Sequence, residues 1–150
     1  MIENIKFVVP TLNSHLLLPK LVNSLKDQTW KNWNLIFVDG KSNKDHVEWL
    51  KNSCIEDSRL KIIKQEKKFK GIYGAMNQGF ETIKDNEWVF FWGSDDWVIS
   101  SDILENLVKK VNSYSNKFDL IVCKGRYVDN KSRKISRVSK FFYNKIPKIL

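Results

Sequence analysis

The chain has 150 residues, 42% of them hydrophobic and 13% aromatic, with a formal net charge of +9. That length and apolar content suit one domain with a substantial core and exclude an intrinsically disordered chain. No apolar run approaches the roughly 20 residues that span a bilayer, and Met1-Ile2-Glu3-Asn4 lacks the basic then apolar layout of a signal peptide, so a cytoplasmic protein is expected.

The charge is uneven. From Lys117 to Leu150 ten Lys or Arg stand against Asp119 and Asp129, a net of +8, which leaves +1 for residues 1–116. The expectation is a single domain over 1–150 carrying a basic tail over 117–150. Lys131, Arg133, Lys134, Arg137 and Lys140 precede Phe141, Phe142, Tyr143, Ile146, Ile149 and Leu150. Two readings stay open: a solvated hairpin followed by a packing segment, or a peripheral contact with the anionic inner face of a membrane. No nucleic-acid-binding motif accompanies the basic residues, so a nucleic-acid partner is not expected. Cys54 and Cys123 have no CxxC spacing and sit beside apolar neighbours, which predicts buried free thiols and no disulfide.

In chain order, Ile5 to Val9 reads as a strand ended by Pro10. A helix follows from about Leu18, with Pro19 in its first turn and Leu18, Leu21, Val22 and Leu25 on one face. Leu35 to Val38 is a second strand, ending at Asp39-Gly40. Asp45 to Asn52 is a short helix turning Val47 and Leu50 inward, and Leu60 to Lys64 is a third strand. Met76, Phe80 and Ile83 at i, i+4 and i+7 predict a helix over 72–83 packed on the sheet.

Trp88 to Trp92, five large apolar residues in a row, reads as a strand buried on both faces. Asp102 with Glu105 three residues later has the form of a capping box opening a helix through Val111. Leu120 to Cys123 is a fifth strand, and Tyr127 to Val138 a hairpin about Asp129-Asn130. The alternation of β and α predicts an α/β fold, a mostly parallel sheet with helices on both faces.

Three strand ends carry polar residues the sheet does not need: Thr11 and Asn13 after the first, Asp39 after the second, Asp95-Asp96 after the fourth. In a parallel sheet these ends meet at one edge, where ligands of open α/β sheets bind. Adjacent carboxylates beside an apolar wall suit a cation or hydroxyl groups, and so a metal-bound phosphate ligand. A dinucleotide site would need Gly-x-Gly-x-x-Gly where the chain has Pro10-Thr11-Leu12-Asn13-Ser14-His15, and no Gly-Lys-Ser/Thr loop is present. His15 and His46 have no Cys or acid at ligand spacing, so a zinc site is not expected.

Five segments then stand in one order: Val8-Val9-Pro10-Thr11-Leu12-Asn13, Ser24-Leu25-Lys26-Asp27-Gln28-Thr29-Trp30, Phe37-Val38-Asp39-Gly40-Lys41-Ser42-Asn43, Gly71-Ile72-Tyr73-Gly74-Ala75-Met76-Asn77-Gln78-Gly79 and Gly93-Ser94-Asp95-Asp96. Together they resemble family 2 glycosyltransferases of the GT-A fold, a Rossmann-like nucleotide-diphospho-sugar transferase sheet. The Gly-Ile-Tyr-x-Ala-Met-Asn segment resembles the colanic-acid-type branch that builds bacterial surface polysaccharides.

The resemblance implies a transferase moving a sugar from a nucleotide-diphospho-sugar, UDP- or dTDP-linked by preference, to a glycan or lipid-linked acceptor. By the same resemblance Pro10, Thr11, Asn13 and Asp39 line the nucleotide, the Asp39 carboxylate accepting a hydrogen bond from a ring N–H of the base. Asp95 is placed at the ribose hydroxyls, and Asp96, with Asp95, at Mn²⁺ or Mg²⁺ bridging the diphosphate. Lys70 and Gly71 are placed near the ligand, where the third helix begins. Gly74 stands where the branch commonly has an acid, so a ligand contact from that position is not expected. The resemblance puts the general base and the acceptor-binding half beyond Leu150, so a chain truncated at its C-terminus is expected. A non-catalytic nucleotide-sugar-binding fragment is the alternative. A nucleotidyltransferase would need a Gly-rich basic loop after the first strand, which the chain lacks.

Overall fold

The structure, a computed structural model, describes residues 2–85, 87–114, 120, 121, 123, 126–128 and 135–138. The chain divides into two compact units, 1–116 and 117–150. In the first, β1 (Ile5–Thr11), β2 (Trp33–Asp39), β3 (Leu60–Lys64) and β4 (Trp88–Phe91) form one parallel sheet in the order β3-β2-β1-β4. Four helices alternate with them: α1 (Leu18–Lys26), α2 (Lys44–Glu56), α3 (Gly71–Phe80) and α4 (Ile103–Asn112).

Side chains alternate across the pleat, so each strand feeds two cores. Ile5, Phe7 and Val9 of β1 with Leu35 and Phe37 of β2 meet Leu18, Leu21, Val22 and Leu25 of α1, Leu50 of α2, and Leu104 and Val108 of α4. Val8, Ile36 and Val38 face the other way, onto Ala75 of α3. Helices therefore cover both faces, as the alternation predicts.

The chain walks outward from β1 through β2 to β3, then returns to the far side of β1 as β4. That reversal makes the cleft between the carboxyl ends of β1 and β4 the switch point at which open α/β sheets bind ligands. Pro10 helps to open it. The β1–β4 ladder ends at Val8↔Phe91, with the Trp92 N–H donating to the Val8 carbonyl (3.0 Å), whereas β1–β2 pairing continues to Thr11↔Asp39. Residues two apart in a strand point their backbone groups to the same side, so the N–H that Pro10 lacks would have faced β4.

Several expectations are corrected. β4 is half-buried, with Phe91 46% exposed, because among the described residues it pairs with β1 alone; it is not buried on both faces. The inward face of α3 is Ala75, Gln78 and Gly79, while Phe80 is exposed and packs against Phe91 with the two rings tilted at 42°. Small residues win there because the helix lies close on the sheet: a Cβ on Gly79 would stand 2.3 Å from Val8 Cγ1. Gly79→Ala is therefore expected to destabilise the fold by about 1–3 kcal/mol, although alanine favours helix by about 1 kcal/mol. Urea unfolding measures this, and an unchanged or raised midpoint would mean that the sheet yields to the methyl.

The Asp102–Glu105 capping box does not form. Asp102 accepts from Ser100 Oγ and from Asn106 Nδ2 (2.8 Å), while Glu105 accepts from Thr29 Oγ1 (2.7 Å) and pairs with Lys109 (2.7 Å). Leu120, Ile121 and Cys123 lie outside any strand, and Val122 is outside the described residues. Both cysteines are free, but Cys54 is half-buried and Cys123 exposed, not buried as expected. In the second unit β5 (Arg126–Val128) and β6 (Ile135–Val138) pair antiparallel, as the hairpin reading predicts; the turn at Asp129-Asn130 and residues 141–150 lie outside the described residues. No helix of the described residues is long and apolar enough to cross a membrane.

Candidate functional site

Thr11 and Asp39 end adjacent strands as register partners and point to the face that α2 covers. Both are buried, at 4% and 5% exposure, so neither is an ordinary turn residue in solvent. Between them sits His46 of α2, fully buried. Its Nε2 is 3.1 Å from Thr11 Oγ1 and 3.9 Å from Asp39 Oδ1, and its Nδ1 accepts the Ser14 N–H at 3.1 Å. Thr11 Oγ1 is also 2.6 Å from Ser14 Oγ. Burial pushes the imidazole below the ordinary histidine range, opposed by Asp39 and assisted by His15. The ring is therefore neutral at pH 7.

The loops after β1 and β2 are knitted together. Asn13, at φ +51°, accepts the Asn43 N–H on Oδ1 (2.8 Å), and its own N–H donates to Ser42 Oγ (3.0 Å). Asn43 caps α2 by accepting the His46 N–H (3.0 Å), and Asp39 Oδ1 accepts the Ser42 N–H (3.2 Å). The β3 loop joins the same edge: the Gln65 N–H donates to the Asp39 carbonyl (2.8 Å), and Gln65 Nε2 donates to the carbonyls of Phe69 and Gly71. Gln65 thereby ties Lys70, exposed in extended conformation before α3, and Gly71, at φ +67°, to the end of β2. Gly74 packs on this turn, where a Cβ would meet Phe69 C at 2.5 Å; close packing is the structural reason for its lack of a side chain.

Asp95 and Asp96 lie exposed in the turn that leaves β4. Gly93 brings the two carboxylates over one spot: a Cβ there would stand 2.7 Å from Asp96 Oδ2 and 2.9 Å from Asp95 Oδ1. The protein packed around the turn withdraws enough water from Asp96 to push its carboxyl above the usual range, a rise that the Gly93 N–H (3.2 Å) opposes and the charge of Asp95 reinforces. A cation placed here would relieve both effects, and two hard oxygen donors suit Mg²⁺ or Mn²⁺. No hydrogen bond or ion pair among the described residues joins this pair to Thr11 or Asp39; they share the carboxyl edge on either side of the switch point.

Sequence reasoning missed what holds the acid turn. Lys20 and Ser24, one turn apart on α1, and Gln28, just past the end of that helix, meet the segment that follows Asp96. Lys20 Nζ lies 3.1 Å over the Trp97 ring, Ser24 Oγ accepts the Val98 N–H (3.0 Å), and buried Gln28 donates to the Ser100 carbonyl (2.7 Å) and accepts the Leu104 N–H (3.1 Å). It also missed His46 and Ser14. A signal for His46 was available, since it falls three positions after Asn43 and four before Leu50, on the inward face of α2.

The profile of the family described as Glycosyl transferase family 2 matches residues 6–150. Glycosyltransferase GlyA of Streptococcus pneumoniae serotype 4 is 34% identical over 112 residues, which are 75% of this chain and 16% of GlyA. A GalNAc(5)-diNAcBac-PP-undecaprenol beta-1,3-glucosyltransferase of Campylobacter jejuni is 30% identical over 112 residues, 74% of this chain and 36% of that protein. The chain thus spans well under half the length of these relatives. Among solved structures, S. aureus TarS 1–349 in complex with UDP superposes with a TM-score of 0.64 at 22% identity, over 74% of this chain and 32% of TarS. The mannosyltransferase PcManGT from Pyrobaculum calidifontis, in complex with GDP-Man and Mn²⁺, gives 0.62 at 18%, over 73% and 32%. These likenesses establish the GT-A fold. With the family profile running across nearly all of it, the chain belongs to glycosyl transferase family 2.

Proposed function

We propose that this chain is the donor-binding part of a glycosyltransferase that takes a sugar from a nucleotide-diphospho-sugar, UDP- or dTDP-linked, and passes it to a glycan or lipid-linked acceptor in surface polysaccharide synthesis. The observation that carries the reading is the placement of two polar clusters on either side of the switch point. Buried Thr11 and Asp39 end β1 and β2, and the exposed pair Asp95 and Asp96 follows β4. A nucleotide laid across that edge would set its base by the first cluster and its diphosphate by the second.

In this reading the Asp39 carboxylate accepts a ring N–H of the base, with Pro10, Thr11 and Asn13 lining the same end. Asp95 meets the ribose hydroxyls. Asp96 and Asp95 hold Mn²⁺ or Mg²⁺, with Lys70 and Gly71 near the ligand. A divalent cation there would neutralise charge on the departing nucleoside diphosphate. The UDP of the TarS complex and the GDP-Man and Mn²⁺ of the mannosyltransferase complex are ligands of the kind proposed.

Calorimetric titration of the chain with UDP, dTDP and GDP, each with and without Mn²⁺, tests this. Metal-dependent binding of UDP or dTDP is expected, and its absence for all three would overturn the reading. Asp39→Ala is expected to weaken UDP binding about tenfold, the size of one hydrogen bond to a charged acceptor, while its metal dependence persists. Equal affinity in that variant would remove Asp39 from the base site.

A further inference from the structure

The hydrogen-bond network around His46 has a direction. The Ser14 N–H donates to Nδ1, so Nδ1 carries no proton and the neutral ring keeps its proton on Nε2. That Nε2–H can then only donate, and its partner at 3.1 Å is Thr11 Oγ1. The buried Thr11 hydroxyl has no acceptor for its own proton among the described residues other than Ser14 Oγ, since the protonated Nε2 cannot accept, and so it donates along the 2.6 Å contact to Ser14 Oγ. Ser14 is half-buried where Thr11 and His46 are buried, so the chain of donors runs from the interior toward the ligand edge and ends on the Ser14 hydroxyl proton. Asp39, with Oδ1 engaged by the Ser42 N–H and 3.9 Å from the same Nε2, offers acceptors only.

We infer that His46 is a positioning residue that polarises the chain His46 to Thr11 to Ser14, so that the base site presents a Ser14 hydroxyl donor beside an Asp39 acceptor. The inference rests on the nucleotide-sugar reading and deepens it. A donor beside an acceptor complements a base edge with an N–H next to a carbonyl, as in uracil, thymine or guanine. Cytosine, whose ring nitrogen is an acceptor beside an amino group, mismatches both. The charged or titratable groups facing His46 are Asp39 from β2 and His15 from the loop after β1. Protonation of the ring would put a donor on Nδ1 against the Ser14 N–H and cost the loop its anchor.

The tautomer can be read directly by NMR of the wild-type chain labelled with ¹⁵N-histidine. At pH 7.5 a neutral ring with an Nε2 proton is expected; an Nδ1-protonated ring or an imidazolium would overturn the inference. In UDP titrations with Mn²⁺, His46→Gln keeps a donor toward Thr11 and loses the Ser14 anchor, whereas His46→Asn keeps an acceptor for Ser14 and loses the donor. Both are expected to weaken UDP about tenfold and to reduce the preference for UDP over CDP, with melting curves that show a folded chain. Because the folded-state pKa is lowered, wild-type UDP affinity should hold at neutral pH and fall as the pH drops below about 6.5, the ordinary histidine value. The His46→Gln variant should lose that dependence. If the wild type binds UDP and both variants match its affinity and its UDP-to-CDP ratio, this inference fails alone. If the wild type binds no nucleotide, the underlying reading fails.

Discussion

Asp96→Ala is expected to weaken Mn²⁺-dependent UDP binding about a hundredfold or more, leaving a residual, metal-independent affinity. The reason lies in how the turn loads its two carboxylates. Gly93 has no side chain to keep them apart, and Asp96 Oδ2 and Asp95 Oδ1 crowd the space a Cβ would fill. Water partly withdrawn from Asp96 and the like charge of Asp95 make the ionised pair costly, and the single N–H of Gly93 offsets only part of it. A divalent cation removes that cost, so the pair without a cation stores part of the free energy of metal binding. Removing Asp96 takes away the more strained charge and a direct ligand together. Asp95→Ala should lose less, since Asp95 is assigned chiefly to ribose. Among the described residues no cluster of three His, Cys, Asp or Glu gathers at ligand distance, so the remaining coordination would come from diphosphate oxygens and water. Calorimetry with Mn²⁺ varied at fixed UDP measures the effect. Equal metal dependence in Asp96→Ala and wild type would show that the cation binds elsewhere or not at all.

The acid turn, the strand ends and the parallel sheet were legible in the sequence because they follow from local rules. Val9-Pro10-Thr11 and Phe37-Val38-Asp39 switch from apolar to polar where a buried strand must end, and the β/α alternation leaves little choice of topology. Helix α1 was legible from Leu18, Leu21, Val22 and Leu25, all buried, and from Pro19 in the first turn. Less legible was whatever depends on a partner distant in sequence. The run at Trp88 is apolar enough for a central strand, yet whether a strand lies on its outer side is not a property of that run. Phe80 fits a helical stripe, but Gly79 decides how α3 lies, by the proximity of Val8.

Polar residues were misjudged for a related reason. The sequence shows of His46 only that no Cys or acid stands at metal-ligand spacing, and only the fold shows that its two nitrogens reach Ser14 and Thr11. Glu105 stands at capping-box spacing, but Thr29 and Lys109 outcompete the helix N-terminus for its carboxylate. The cap that α4 does receive comes from Gln28, 76 residues earlier in the chain. Spacing rules see local candidates and not such rivals.

That distant cap carries the second large effect. Gln28→Leu is expected to destabilise the first unit by about 3 kcal/mol. Gln28 is 1% exposed, and its side chain serves three backbone groups at once: the carbonyls of Ser24 (3.0 Å) and Ser100 (2.7 Å), and the N–H of Leu104 (3.1 Å). Leucine fills a similar volume, so the loss would be one of hydrogen bonding and not of packing. The Leu104 N–H belongs to the first turn of α4, where backbone donors have no helical partner, so its loss would also loosen the start of that helix. Gln28→Glu provides the contrast. A carboxylate could still accept the Leu104 N–H but would face two carbonyls with no proton to give, so it too should destabilise, which a purely steric role would not require. Urea unfolding measures both variants, and amide hydrogen exchange should show faster exchange at Val98 and Leu104 than elsewhere in the sheet. Because the Gln28 tether begins only four residues after Asp96, the loosened segment should also weaken Mn²⁺-dependent UDP binding, while Asp39 and its hydrogen bond to Ser42 stay in place. A Gln28→Leu variant as stable as wild type, with unchanged exchange at Leu104, would mean that packing of Leu104 and Val108 holds the segment without the glutamine.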